Sequence, residues 1–331
     1  MQLSDLQKLM TPKWVTVDEG EIERRAEILA DHEFIIPDWQ IENVLPKDHK
    51  VFLSWLPYLC AVDFAFTNFH RPYERFRARE FTGSVAMGHC FYRRFGDSRI
   101  SASEMLRITG DGTDFEQFMR GMNGLPPLLE ARRRNLREVA DVMKRVFDDD
   151  MAKLLRLAKY KTCDLVEVLC SLFPTAYGSD FFILDREFIE CLGERRVRLY
   201  LNKRANLLAL MYQGRALMSG KALKPLVDGE NLKSVTDAAV PNALRSMNIL
   251  DYDRGLSYKI DHRQQLASGS REEVEIRLGT IYAVEMLLDR INELRLAGSK
   301  KVITMVELDY FLWQAGRECA VPPHLTKTTA Y

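Results

Sequence analysis

The sequence predicts an all-α, mostly helical protein with a few short strands. Three observations carry that reading. Apolar residues recur at intervals of three and four through most of the chain, the spacing of one helix face. Capping residues and prolines mark where such stretches start and stop. Only two short segments have the β-branched and aromatic content of a strand. The chain has 331 residues, of which 47% are hydrophobic and 10% aromatic, enough for a large core without staples. No repeat, low-complexity tract or Pro/Gly/Ser linker interrupts it. A single domain over residues 1–331 is therefore expected, with the first ~30 residues forming a peripheral helix and no clean internal boundary.

Taken in order, Glu19 to His32 places Ile22, Ala26 and Leu29 at helical intervals. Val51 to Phe69 reads as a buried helix with Trp55, Leu59, Val62 and Phe66 on one face. Gly83 to Phe95 is a helix rich in small residues, suited to close packing. Leu125-Pro126-Pro127 opens a strongly charged helix whose apolar set is Leu128, Leu129, Leu136, Val139 and Val142. Lys153 to Phe173 continues as helix through Leu165, Val168, Leu169 and Leu172, and Pro174 ends it. Phe181 to Ile183 and Val197 to Tyr200 are strands or loops. A helix runs on from Asn202, and Val235 to Met247 holds another with Pro241 in its first turn. Ser270 and Glu273 form a capping box for a long helix carrying Val274, Leu278, Ile281, Val284, Leu288 and Ile291, stopped by Gly298. Val302 to Trp313 is the last short helix.

Charge and motif content exclude several functions. Forty-seven Lys and Arg balance 47 Asp and Glu, so the chain lacks the basic surplus of a phosphate-tracking protein. Six cysteines, Cys60, Cys90, Cys163, Cys170, Cys191 and Cys319, form no C-x-x-C pair and read as buried reduced thiols of a cytosolic protein. The N-terminus lacks the pattern of a signal peptide, and no apolar run approaches the roughly 20 residues of a membrane span. A soluble, cytoplasmic protein is expected. No phosphate loop, dinucleotide fingerprint, nucleophile elbow or H-E-x-x-H pair occurs. The six histidines are scattered, which gives no metal site, and His89 reads as a satisfied core histidine.

A few residues remain as candidates for chemistry. Asp237 lies just before a Pro-containing helix start. It is either an N-cap or a carboxylate facing a pocket, where it would stabilise a developing cation or activate a water. Lys203 and Arg204 open an otherwise apolar helix. The simple reading is a solvated first turn. Two cations at the positive end of a helix nevertheless call for a nearby carboxylate or phosphate. Asp309 and Trp313, at i and i+4, share one helix face and would suit an amine or a base edge. Asp63, Phe64, Phe66 and His70 place polar groups in an aromatic run, which is either core packing or a cradle for a flat heterocycle.

Read together, these residues resemble the queuosine salvage protein family, the queuosine 5′-phosphate N-glycosylases. The resemblance runs through Asp237-Ala238-Ala239-Val240-Pro241, Gly269 to Arg277 (GSREEVEIR) and Asp309-Tyr310-Phe311-Leu312-Trp313. Lys203-Arg204-Ala205-Asn206, Leu125 to Glu130, Phe173-Pro174, Ala61 to Phe66, Glu80 to Ser84 and the closing His324 to Tyr331 also fit. The resemblance covers nearly the whole chain after about residue 30, and its specificity lies in the order and spacing of these pieces.

The resemblance implies an all-helical fold related to the helix-hairpin-helix DNA glycosylases. It implies cleavage of the bond between ribose and the base queuine, in queuosine 5′-monophosphate or in queuosine itself, with no metal or cofactor. The partner is then a small molecule, with no stable nucleic-acid complex and no membrane. Asp237 matches the family's catalytic carboxylate and Lys203 a lysine near the active site. The family's usual Tyr and Arg after that Asp are replaced by Ala238 and Ala239. Asp309 and Trp313 would then meet the substrate's amine arm, and Lys203 or Arg204 its phosphate. The two competing readings are a helical module that binds nucleic acid or a partner without chemistry, and a DNA base-excision glycosylase.

Overall fold

The computed structural model describes residues 12–186, 188 and 195–331. In chain order the elements are β1 (Val15–Val17), α1 (Glu19–Leu29), α2 (His49–Ala61), β2 (Arg77–Ala78), β3 (Phe81–Thr82), α3 (Gly83–Phe95), α4 (Ala102–Gly110), α5 (Gly112–Met119), α6 (Leu129–Phe147), α7 (Met151–Leu157) and α8 (Thr162–Leu172). There follow β4 (Phe181–Leu184), β5 (Val197–Tyr200), α9 (Lys203–Leu217), α10 (Ala239–Ser246), β6 (Leu250–Tyr252), α11 (Arg254–Asp261), β7 (Gln265–Leu266), α12 (Arg271–Ala297), α13 (Met305–Glu318) and β8 (Leu325–Thr326). The protein is mostly helical, and the strands of the described residues form only two-stranded pairs. Those of β1–β6, β2–β3 and β4–β5 are antiparallel, and β7–β8 is parallel.

Two compact units emerge, each drawn from separate stretches of chain. The first takes Met1–Ile36, Phe181–Leu201 and Lys233–Lys327; the second takes Pro37–Asp180, Asn202–Leu232 and Thr328–Tyr331. Because the chain passes between them more than once, no single linker marks the division in the sequence.

The spine of the first unit is α12, 27 residues long. Val274, Leu278 and Ile281 on it close over Phe182, Leu184, Leu199 and Leu201 of the β4–β5 hairpin. Gly279 lets β1 approach, since a Cβ there would stand 3.3 Å from the Val15 side chain. Helix α1 packs against the same spine through the fully buried Ile22 and Ala26. The α12 start is capped by Ser270, which accepts from Glu273 N–H, while the Glu273 carboxylate reaches back to Gly269 N–H at 2.5 Å. The expected Ser270 cap is thus present, but the return bond goes to Gly269 N–H while Ser270 N–H donates to Ala267 O, so the capping box does not close.

In the second unit, α2 and α9 lie together, and α2 also contacts α6. Trp55, Phe91, Phe95 and Phe118 form an aromatic core with centroids 4.9–6.3 Å apart, and the Trp55 indole N–H donates to Ser98 O at 2.8 Å. His89 is buried there, with Nδ1 2.8 Å from Asn43 O.

Several element boundaries and one buried position differ from the sequence expectation. Helix α2 begins at His49, capped by Asp48, and stops at Ala61 instead of running to Phe69. Side chains from elsewhere take the carbonyls beyond that point, so the helical ladder is replaced. The stretch 151–172 is two helices, because Lys159 and Tyr160 adopt left-handed φ values of 54° and 56°. The last helix begins at Met305 and runs to Glu318, because Thr304 and Glu307 form a full capping box. On α12 the buried position is Leu287, and Leu288 is only half-buried.

Of the cysteines, Cys60 and Cys90 are buried as expected, Cys170 and Cys319 are half-buried, and Cys163 is exposed. Burial pushes the Cys60 thiol well up, Cys90 to about 11 and Cys170 to about 12. Cys191 lies outside the described residues. No helix among the described residues is long and apolar enough to cross a membrane.

Candidate functional site

In the first unit, Asp237 ends the turn 234–237 that leads into α10. Its Oδ1 accepts from Ala239 N–H at 2.7 Å and Val240 N–H at 3.2 Å, so it does cap the helix. Pro241 sits in the first turn, as its fixed φ favours. The turn is held from two other helices. On α13, the buried Asp309 carboxylate takes Ser234 Oγ at 2.8 Å and Val235 N–H at 2.7 Å through Oδ1. On α12, the fully buried Arg277 donates from Nε to Thr236 O at 3.2 Å and from Nη2 to Thr236 Oγ1 at 3.4 Å. The Asp237 N–H itself donates to Val235 O at 2.8 Å.

The first unit carries further charge and aromatic surface on and around α13. Arg317 on α13 interacts electrostatically with Asp237, and its guanidinium lies 4.7 Å from the Trp313 ring centre. Trp313 is half-buried and stacks with Tyr310 at 6.0 Å. Phe311, on the same helix, meets His32 and Phe34 at 4.9 and 5.4 Å. His324 is buried, and burial together with the Arg277 charge holds it down to about 3. Helices α10 and α13 touch backbone to backbone. A Cβ at Gly316 would run into the Ala239 carbonyl, and Asn242 Nδ2 donates to Gly316 O at 3.1 Å and to Val321 O at 3.0 Å.

In the second unit, Lys203 and Arg204 are both buried, which corrects the simple reading of a solvated first turn. The carboxylates that two cations require are there. Lys203 Nζ pairs with Asp63 Oδ2 and donates to Asp63 O at 2.9 Å, and Lys203 N–H donates to the buried Asp180 Oδ2 at 2.8 Å. Arg204 reaches Ala61 O at 3.2 Å and Ser179 Oγ at 2.8 Å, and burial pulls it down to about 10.

These groups surround the stretch 61–66 that follows α2. Arg132 of α6, fully buried, donates to the carbonyls of Val62, Phe64 and Ala65, the last at 2.9 Å. Its guanidinium lies 4.4 Å from the Phe64 ring centre and 5.0 Å from that of Phe66. Burial pulls Arg132 down to about 9, still on the charged side of neutrality. Asn135 Nδ2 donates to Ala61 O at 2.8 Å. Ala65 has a left-handed φ of 46°, a strained value for a residue with a Cβ, and its N–H donates to Tyr331 O at 2.9 Å.

Within the first unit the structure brings Asp309 to the turn carrying Asp237 and leaves Trp313 half-buried one helical turn further on. Within the second it brings together Asp63, Phe64, Lys203 and Arg204. Phe64 is wholly enclosed and Phe66 half-buried, while His70 stands exposed on the loop, where its backbone N–H donates to Asn68 Oδ1. Three contributors escaped the sequence reading. Arg132 had a detectable signal, since it stands in register with Leu136, Val139 and Met143 on the buried stripe of α6. Arg277 shows the same signal on α12. Asp180 has none in the sequence. Among the described residues no cluster of three or more His, Cys, Asp or Glu is placed to hold a metal ion.

The chain is similar to proteins named queuosine 5′-phosphate N-glycosylase/hydrolase. The one from Sphaerobacter thermophilus is 28% identical over 324 residues, covering 96% of this chain and 93% of the relative. Those from Nematostella vectensis and Mus musculus are 26% and 25% identical, each covering 96% of this chain and 94% of the relative. The family model described as queuosine salvage protein matches residues 44–331. That span takes in both stretches just described, and the chain belongs to the queuosine salvage protein family.

Proposed function

We propose that this chain hydrolyses the N-glycosidic bond of queuosine 5′-phosphate, releasing queuine, and that Asp237 is the carboxylate at the reacting sugar. The observation that carries the reaction is the match along 96% of the chain to relatives named for it. The chemistry explains why a carboxylate has the main role. Purine hydrolases can protonate N7 of the leaving base, but a 7-deazapurine has carbon there. More of the barrier must be lowered by stabilising the oxocarbenium-like ribosyl cation, which a carboxylate near C1′ does electrostatically while orienting water. Asp237 is suited to this. Two backbone N–H groups fix its Oδ1 and set the plane of the carboxylate.

Within the same unit, Asp309 and Trp313 are assigned to the aminomethyl arm, through charge and the aromatic face. For the other unit taken by itself, Lys203 and Arg204 are the candidate donors to a phosphate, and Asp63, Phe64, Phe66 and His70 the candidate surroundings of a flat heterocycle. Of the two phenylalanines, Phe66 is the one with exposed surface, since Phe64 is enclosed between Arg132 and Arg204. No metal enters this mechanism, so EDTA leaves turnover unchanged.

The test is to incubate the purified protein with queuosine and with its 5′-monophosphate and to measure free queuine by mass. Product is expected from the monophosphate; none from either substrate overturns the proposal. Asp237→Asn should lower turnover on the order of 10²–10³-fold while the fold persists, judged by circular dichroism. A variant as fast as the parent removes Asp237 from the mechanism.

A further inference from the structure

The geometry points to Arg277 as a positioning residue that fixes the catalytic turn from behind, an inference that rests on Asp237 being the reacting carboxylate. Three facts support it. Arg277 is fully buried in the middle of α12, where a cation is costly unless its donors are used. Its fork engages one residue twice, taking both the carbonyl and the hydroxyl of Thr236. That carbonyl belongs to the peptide plane whose N–H is Asp237's own, and this N–H is tied to Val235 O at 2.8 Å. Both ends of the peptide entering Asp237 are thereby fixed. The Oδ1 bonds to α10 fix the side chain in turn.

The Phe182 ring lies 5.4 Å from the Arg277 guanidinium, and Phe182 belongs to the hydrophobic cluster that seats α12. The fork is therefore carried on a helix that packs as a rigid element. An ammonium in its place can serve one of the two acceptors but cannot span both with a planar fork. A displacement of about 1 Å at a reacting group can cost on the order of 100-fold in rate without altering how remote parts of the substrate bind. The signature of this role is accordingly a loss in kcat with KM little changed.

The experiment compares Arg277→Met, Arg277→Lys and Thr236→Val with the parent on queuosine 5′-monophosphate. Arg277→Met should lose on the order of 100-fold in kcat with KM within about threefold. Arg277→Lys should recover part of that loss, and Thr236→Val, which removes only the hydroxyl acceptor, should lose least. A parental kcat in Arg277→Met, or a loss confined to KM, overturns the inference. If Arg277→Met does not fold, the ranking of the other two variants decides in the same way.

Amide hydrogen exchange over 234–237 provides a readout that does not depend on turnover. Exchange there should quicken in Arg277→Lys while the α12 amides keep their parental protection. Unchanged exchange at 234–237 overturns the inference. A parent protein that yields no queuine sinks the glycosylase proposal alone, and the exchange result still decides whether Arg277 holds the turn.

Discussion

The stretches 61–66 and 234–237 both leave the helical ladder, and both depend on a buried arginine, yet they are secured differently. Every carbonyl from Ala61 to Ala65 accepts from a side chain: Asn135 and Arg204 at Ala61, Lys203 at Asp63, and Arg132 at the other three. The turn before α10 has a lighter set, one carboxylate on Ser234 and Val235 and one guanidinium on Thr236. Buried carbonyls without partners are expensive. Damage to the first stretch should therefore appear mainly in stability, and damage to the second mainly in turnover.

Arg132→Met puts the strongest strain on this contrast. It withdraws a donor from four carbonyls at once, those of Pro127, Val62, Phe64 and Ala65, of which Val62 keeps the Phe64 N–H, and the free energy of unfolding in urea should fall by about 3–5 kcal/mol. A loss below about 1 kcal/mol would erase the distinction between the two stretches. Lys203→Met comes next. Asp63 keeps 17% side-chain exposure and water can relieve it, so a cost of about 2 kcal/mol is expected. Adding Asp63→Asn should return part of that cost, and a double variant no better than the single would show that the ion pair contributes little.

The third test uses pH and belongs to the first unit. His324 is held at about 3 against an ordinary 6.5, so the fold keeps it neutral where the unfolded chain protonates it. Between pH 6.5 and 3 the unfolded state binds more protons. This contribution is complete above about pH 6.5 and shrinks toward pH 3, with a slope approaching about 1.4 kcal/mol per pH unit. His324→Gln should flatten the dependence; a slope identical to the parent's would assign it to other groups. Asp309→Asn is the mildest change. It keeps an acceptor for Ser234 and Val235 and should cost about 1 kcal/mol in stability. If its loss of turnover does not exceed what that cost explains, the second half of the contrast fails.

Where local physics decides, the sequence reading agrees with the structure. Gly83–Phe95 has the expected bounds, and Ser270 and Gly298 delimit α12. Asp237 stood out because a short acid before a Pro-containing helix start is a local signal. The end of α2 was not legible, because the groups that replace its ladder come from 67 to 143 residues further along the chain. Lys203 and Arg204 could be read as needing anions, but which anions depended on tertiary placement. The same holds for Asp309, whose face on α13 was evident while its bond to Val235 was not.

Gly316 carries a lesson for interpreting variants. It bears no functional group, and its contribution is to leave room for the Ala239 carbonyl where α13 meets α10. Any side chain there would push α10 away and take the carboxylate that caps it along. In a scan of all substitutions, position 316 would score like a reacting residue: intolerant of every replacement, alanine included. Intolerance there would record a thickness limit between two helices, so saturation data alone would misplace the chemistry by a whole helix.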